Sequence, residues 1–424
     1  MKPDSASASA KRVKCPAHWT QWIRQHRRAC ALALTATLTL MLFATQSAQA
    51  QAFTVIHSFA GHPTDGATPF AGLVMDANGN LYGTTFTGGS ACNPGGCGTV
   101  FGLNKERKET VLYSFNGFGD GASPHAGLVM DAKGNLYGTT LSGGTGCGHL
   151  GCGGTVFKVS KSGKKTLLHS FSNGTDGAAP LSGLIMDANA NLYGTTPLGG
   201  NVSCPAGCGT VFKVTKTGKK NVLYSFAGGT DSSRPLAGLV LDSAGNLYGT
   251  TSGNAVQGCP DSCGTVFKLD RKGKETVLHT FTGGTDGAGP FAGLVMDAKG
   301  DLYGTTAAGG ASRAGTVFKL DNKGRETVLY SFAGGTDGER PLAGLVMDGR
   351  GNFYGTTARG GTAGFGTVFK VTETGQETVL YYFSGGADGA GPYAGLVMDA
   401  KGNLYGTAAG GGIGINGTVF KLTP

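Results

Sequence analysis

The sequence predicts an all-β protein, a seven-bladed β-propeller of four-stranded antiparallel blades whose ring is closed by the N-terminal strand. Three observations carry that expectation. The string LYGTT, with small variations, recurs with its tyrosine at Tyr82, Tyr137, Tyr193, Tyr248, Tyr303, Tyr354 and Tyr405, at spacings of 55, 56, 55, 55, 51 and 51 residues. Each copy holds four short apolar runs separated by turn residues, which is the period of a propeller blade. The two ends of the repeat array are out of phase, opening on a run of the fourth type and closing on one of the third. Composition agrees. With 78 glycines among 424 residues and only 14% charged side chains, the chain suits tight turns between short strands, and 39% hydrophobic residues with 22 phenylalanines are too many for a disordered segment.

Residues 1–50 read as an export signal, distinct from the propeller of residues 51–424. Lys2, Lys11, Arg12, Lys14, Arg24, Arg27 and Arg28 precede an apolar run from Ala31 to Ala44, followed by Thr45-Gln46-Ser47 and the small-residue site Ala48-Gln49-Ala50. The run is shorter than the ~20 residues needed to span a bilayer, and no second candidate follows, so no transmembrane segment is expected in the mature chain. Cleavage near Ala50 would leave a secreted or periplasmic protein. Arg27-Arg28 also fits twin-arginine export. The signal carries seven of the 35 basic residues and one of the 26 acidic ones, so 28 against 25 leaves the mature chain at +3 rather than +9. No dense basic patch remains to argue for nucleic acid.

Val55–Phe59 opens the repeat region as a fourth-type strand. The four runs of the first full copy are Gly72–Asp76, Asn80–Thr85, Gly98–Leu103 and Glu109–Phe115, rich in Val, Tyr, Phe and Thr. A tight hairpin joins the first two, with glycine at Gly79, Gly134, Gly245, Gly300, Gly351 and Gly402 for positive φ, whereas copy three places Ala190 there. Polar strings such as Asp270–Lys274 join the third run to the fourth. Loops of the form GGTDGAxP, such as Gly283–Pro290, lead into the next copy. The seventh copy lacks its outer strand after Gly417–Leu422, and Val55–Phe59 is available to supply it. A solenoid would need capping units at both ends, and none is visible.

The units resemble the GloVer (Gloeo_Verruco) tandem repeat of exported bacterial proteins of the choice-of-anchor type. The resemblance rests on GLVMDAKGNLYGTT at Gly127–Thr140 and GTVFKL at Gly315–Leu320, and it runs from about Val55 to Leu422. It implies export and a repeat domain but no established activity. Such proteins often end in an anchoring tail, whereas this sequence stops at Thr423-Pro424. A looser likeness to NHL-type propeller repeats lies in the D-x-x-G-N-L-Y turn and strand.

Outside the signal, eight cysteines form four close pairs, Cys92 with Cys97, Cys147 with Cys152, Cys204 with Cys208 and Cys259 with Cys263, all between LYGTT and GTVF of copies one to four. In an exported chain such pairs read as local disulfides. Thiolate metal sites and free thiols are the alternatives. The metal reading is weakened because each pair lies in a different blade without regularly spaced histidine.

A residue present in all seven copies serves the blade, and a residue confined to one copy is the better functional candidate. Asp65, Asp120, Asp176, Asp231, Asp286, Asp337 and Asp388 recur in the TDGA loops. They form either a ring of oxygen ligands for Ca²⁺ or, more simply, acceptors of backbone N–H groups in their own turns, and no other cofactor is expected. The fourth strand carries His57, Tyr113, His169, Tyr224, His279, Tyr330 and Tyr381, read as packing. No G-x-S-x-G, H-E-x-x-H or phosphate-loop motif occurs, and the mature chain has no tryptophan for an Asp box.

The leading expectation is therefore an exported, monomeric, non-catalytic propeller that binds a glycan, an envelope component or a protein. A hydrolase or lyase acting on extracellular polysaccharide and a structural envelope protein are the alternatives. In a meandering blade, the TDGAxP loops and the cysteine loops emerge on one face. The residue before each proline varies there: Thr68, Ser123, Ala179, Arg234, Gly289, Arg340 and Gly391. Arg234, Arg340 and His125 are the polar departures, suited to carboxylate or sulfate groups or merely solvating a loop.

Overall fold

The computed structural model describes residues 51–145, 153–201, 203–253, 259 and 263–424. The expected signal segment 1–50 with its cleavage site, and the Cys147 and Cys152 pair, lie outside the described residues. Seven four-stranded antiparallel sheets form a propeller. Blade one comprises Val74–Met75, Leu81–Thr85, Thr99–Leu103 and Glu109–Ser114, from the axis outward. The pattern repeats to blade six, with Val346–Met347, Phe353–Thr357, Thr367–Val371 and Glu377–Tyr382. Blade seven takes its outer strand from the other end of the chain. Ala52–Ser58 pairs antiparallel with Thr418–Thr423, as the phase of the repeat requires.

The innermost strand pairs over two residues where the sequence pattern suggested five. Gly72 at its start already abuts the carbonyl of Gly395 in the neighbouring blade, and Asp76 at its end leaves the ladder to cap the hairpin. The contact of Gly72 recurs around the ring. A Cβ placed on Gly72, Gly127, Gly183, Gly238, Gly293, Gly344 or Gly395 would lie 3.0–3.7 Å from the carbonyl oxygen of the preceding member, so the seven glycines close a circle that is tight at Gly72, Gly127, Gly344 and Gly395 and in ordinary contact at the other three.

Every position of LYGTT has a physical task. In blade one, Leu81 is core, and the Tyr82 hydroxyl donates to Asp76 at 3.3 Å. Gly83 leaves room for the Phe101 ring, which a Cβ would approach to 2.7 Å. Thr84 donates across the seam to Ala126 O at 3.0 Å, and Thr85 bonds Thr99 within the blade at 2.8 Å. The cross-seam threonine bond occurs at all seven seams and closes with Thr407 to Ala71 at 2.9 Å.

The core lies between blades rather than inside them, because each sheet is hydrophobic on both faces and is buried by its neighbours. Seven edge-to-face phenylalanine pairs mark the seams, from Phe59 on Phe101 at 5.1 Å to Phe383 on Phe420 at 5.3 Å. Such pairs add about 0.5–1.5 kcal/mol each beyond area burial. A bulge at the third-to-fourth strand pairing, between Val100 and Phe101 in blade one, recurs in every blade and adds twist where the phenylalanine enters the seam. The expected conformation at Ala190 is present, with φ at +59°.

Candidate ligand-binding face

The TDGAxP loops and the described parts of the loops between the second and third strands share one face, as the meander requires, and they are tied to each other. Ala122 bridges Ser142, Ala178 bridges Leu198, Ala288 bridges Ala308, Glu339 bridges Arg359 and Ala390 bridges Gly410. In blade one the same contact lengthens into a two-stranded sheet of Gly66–Ala67 with Thr87–Gly88. Disulfides join Cys92 to Cys97, Cys204 to Cys208 and Cys259 to Cys263. They hold backbone acceptors in place. Cys97 O receives the N–H of Ser123 and Cys208 O that of Arg234, both at 2.8 Å.

The residue before each proline therefore spans a seam. Outside Gly289 its N–H goes to the preceding blade's loop, and outside Ala179, where Pro197 has no N–H to give, its carbonyl accepts from the residue after LYGTT, as in Phe86 N to Thr68 O at 3.1 Å. All seven of these residues sit in the left-handed region, at φ of +55° to +62°. Pattern reasoning missed this, since only Gly289 and Gly391 signal it.

The seven loop aspartates do not surround the axis. They sit beside the outermost strands, where each carboxylate accepts from its own turn or from the fourth-strand aromatic. Asp65 takes the N–H groups of Ala60 at 2.8 Å and Gly66 at 2.6 Å, with His57 at 3.3 Å. Tyr113 donates to Asp120, Tyr224 to Asp231, Tyr330 to Asp337 and Tyr381 to Asp388 at 2.8–2.9 Å. His169 lies 3.1 Å from Asp176, and His279 lies 3.6 Å from Asp286. The alternating His/Tyr position thus exists to engage this aspartate, a pairing that spacing alone left unassigned. Burial and the aspartate bond raise the Tyr113, Tyr224, Tyr330 and Tyr381 phenols well above their ordinary value. Among the described residues, no group of three or more His, Cys, Asp or Glu has a metal-holding arrangement.

At each seam, the residue that starts the next outer strand faces this aspartate. Lys165 and Lys220 donate to Asp120 and Asp176, with Nζ to Oδ1 at 2.5 and 2.7 Å. At the corresponding places Glu109, Glu275, Glu326 and Glu377 are raised to about 7 by burial first and then by the neighbouring aspartate. The seventh seam has Phe53 instead, stacked on Tyr381 at 3.7 Å and 5° from parallel.

The mouth of the ring on the loop face is aromatic along one arc. Phe70 stacks on His125 at 5.2 Å and meets Phe86 at 5.5 Å and Tyr393 at 5.6 Å, joining blades seven, one and two. Tyr393 is 40% exposed. Burial holds His125 below the ordinary imidazole value, so it belongs with these rings and not with the cations. Arg234 and Arg340 are both exposed, but they stand at different seams, with Gly289 at the seam between them. Further apolar side chains, Phe118, Ile413 and Ile415, project from the same loops. The opposite face carries clefts between neighbouring hairpins. One of about 600 Å³ is lined by Asp187, Lys213, Asp242 and Arg271. Its carboxylates are occupied, Asp187 by Asn189, Asn191 and Tyr193, and Asp242 by Asn246 and Tyr248.

The sequence matches no curated protein. Among solved structures it is similar to the extracellular domain of a hybrid two-component system from B. thetaiotaomicron, with a TM-score of 0.53 and 9% identity over 87% of this chain and 39% of that one. A one-component system from the same organism gives 0.51 and 13% over 87% and 42%, so this chain spans about two fifths of either domain. A gluconolactonase from Xanthomonas campestris gives 0.40 and 15% over 69% and 82%. For the two extracellular domains, at these identities, the likeness is one of fold. The Gloeobacter/Verrucomicrobia repeat matches residues 41–259 and 253–424. The chain belongs to that repeat family, the one its GLVMDAKGNLYGTT units resemble.

Proposed function

We propose that this is an exported, non-catalytic propeller, secreted or periplasmic after cleavage near Ala50, whose loop face binds an extracellular glycan. The observation that carries this reading is the arc Phe70, Phe86, His125 and Tyr393 at the mouth of the disulfide-tied face. Sugar rings present flat C–H surfaces that stack on such aromatic groups, and rigid aromatics give contact area at little entropic cost. Local disulfides belong to oxidising compartments and support an extracytoplasmic location. No helix among the described residues is long and apolar enough to cross a membrane. The loop aspartates and hairpin aspartates are engaged by their own turns, which favours binding over a hydrolase that needs two free carboxyl groups facing one bond.

The test is retention of the mature protein on a panel of neutral and acidic polysaccharides. Phe70→Ala with Tyr393→Ala is expected to weaken retention on the order of tenfold at a temperature where melting curves show both proteins folded. No retention on any glycan by the intact protein would remove the reading. Release of shortened glycan products would replace it with the enzymatic alternative.

A further inference from the structure

The seam between blades five and six differs from the other six. Arg340 N donates to Ala314 O at 2.9 Å, which places Arg340 beside Arg313 on the preceding blade's loop. Arg340 O accepts from Ala358 N at 3.1 Å, and the next residue, Arg359, exchanges two backbone bonds with Glu339, at 3.0 and 3.2 Å. Three arginines therefore project from backbone segments that are hydrogen-bonded directly to one another. All three are exposed, and among the described residues none of them forms an ion pair. Glu339, the acidic residue bridged to Arg359, forms no ion pair among the described residues.

Nothing in the repeat requires these side chains. At the position of Arg359 the other blades carry Thr87, Ser142, Leu198, Gly253, Ala308 and Gly410, all uncharged. Arg313 and Arg340 both occupy the left-handed region, at φ of +60° and +56°, and at the pre-proline position Gly289 and Gly391 meet the same demand with no side chain at all. At that position Thr68, Ser123, Ala179 and Arg234 hold the same conformation, so the backbone there does not call for arginine. Among the described residues the exposed lysines lie on the hairpin turns of the opposite face, as Lys133, Lys161, Lys216 and Lys272 do.

We infer that Arg313, Arg340 and Arg359 form an anion subsite at the blade five to six seam that takes the carboxylates of a polyuronate, a polysaccharide chain bearing acid sugars. This deepens the glycan-binding reading and rests on it. The guanidinium fork matches the two oxygens of a carboxylate, and three forks along one seam suit repeated charges on a chain rather than one small ion. The aromatic arc on blades seven, one and two supplies stacking surface for the sugar rings on the same face.

The test is affinity electrophoresis of the mature protein in gels containing polygalacturonate, dextran sulfate or neutral dextran. The triple variant R313Q/R340Q/R359Q is expected to raise the apparent Kd for polygalacturonate at least tenfold, while R234Q, at another seam, stays within twofold of the parent. Retardation by polygalacturonate should also fall steeply with salt. Unchanged retardation of the triple variant overturns the subsite while leaving glycan binding by the aromatic arc intact. An equal loss in R234Q, or stronger retardation by dextran sulfate than by polygalacturonate, overturns the assignment to this seam or to carboxylates. Absence of retardation by every glycan overturns both readings. Melting curves of each variant separate these outcomes from misfolding.

Discussion

Lys165 reaches across the seam between blades one and two and sets its ammonium 2.5 Å from Asp120 Oδ1, and at four other seams a glutamate stands where that lysine stands. The Oε1 atoms of Glu109, Glu275, Glu326 and Glu377 are buried without a hydrogen-bond partner, as are Asp231 Oδ1 and Asp337 Oδ1 across two of those seams. A proton on one member of each acidic pair relieves the repulsion that the lysine relieves elsewhere.

This gives the ring a defined pH response. The four glutamates have folded-state values raised to about 7 from 4.5, so the stability they contribute is complete below about 4.5 and is lost as the pH rises through about 7. Aspartates held below their ordinary value, such as Asp65 and Asp388, act in the opposite sense and lose their contribution as the pH falls through the depressed value. With solvent screening at half-buried seams, about 1 kcal/mol per glutamate is the scale. Melting temperature is expected to peak near pH 4.5 and to fall by about 5 °C by pH 8. A profile that is flat or rises across that range contradicts the seam chemistry.

Glu275→Lys converts the blade three to four seam to the arrangement at Lys220, where Nζ bonds Asp176 at 2.7 Å. The variant is expected to melt higher at pH 8, by about 1 kcal/mol, with little change at pH 5 where the parent pair already shares a proton. Calorimetry at the two pH values measures the difference.

Ring closure depends on the strand Ala52–Ser58 and the adjoining Phe59. Deleting residues 51–60 removes the partner of Thr418–Thr423, the Phe53 stack on Tyr381 and the Phe59 contact with Phe101. Loss of one buried phenylalanine alone costs about 3–5 kcal/mol, and the exposed edge favours aggregation. The truncated protein is expected to melt far below the intact mature chain and to associate in sedimentation experiments. Equal melting would contradict closure by this strand.

Ala190 adopts φ of +59° in a hairpin where the other six blades have glycine at the matching turn with φ of +75° to +82°, Gly79, Gly134, Gly245, Gly300, Gly351 and Gly402. Ala190→Gly is expected to stabilise by about 1 kcal/mol, since relief of the left-handed strain exceeds the added entropy of the unfolded chain. Urea titration with an unchanged slope is the check.

Cys92, Cys97, Cys204, Cys208, Cys259 and Cys263 are all disulfide-bonded. Thiol titration of the denatured, unreduced mature protein is expected to find no reactive group among them. Peptide mapping that placed a free thiol at any of the six would contradict these bridges.

Much of the fold was legible because its signals are local and periodic. The seven copies, the four strands of each, the hairpin at Ala190 and the pairing of the two chain ends all follow from turn residues, strand-forming runs and the phase of the repeat. The disulfides between cysteines four or five residues apart were legible for the same reason. The left-handed pre-proline residues were not, since Thr68, Ser123 and Ala179 carry no glycine-like signal and their conformation is imposed by bonds to a neighbouring blade.

The repeated frame was thus readable from the chain alone, because six of the seven blades are each encoded by one contiguous stretch and the seventh differs only in the outer strand that Ala52–Ser58 supplies. Only the tertiary structure decided which departures from that frame meet. Lys165 and Asp120 are 45 residues apart, and Phe53 and Tyr381 are joined only because the ring closes. Arg313, Arg340 and Arg359 come from two blades and three loops, and Tyr393 reaches Phe70 from the far end of the chain. Closure of the ring brings distant, non-repeated side chains to a common seam, and no periodic pattern along the chain records that distance in space.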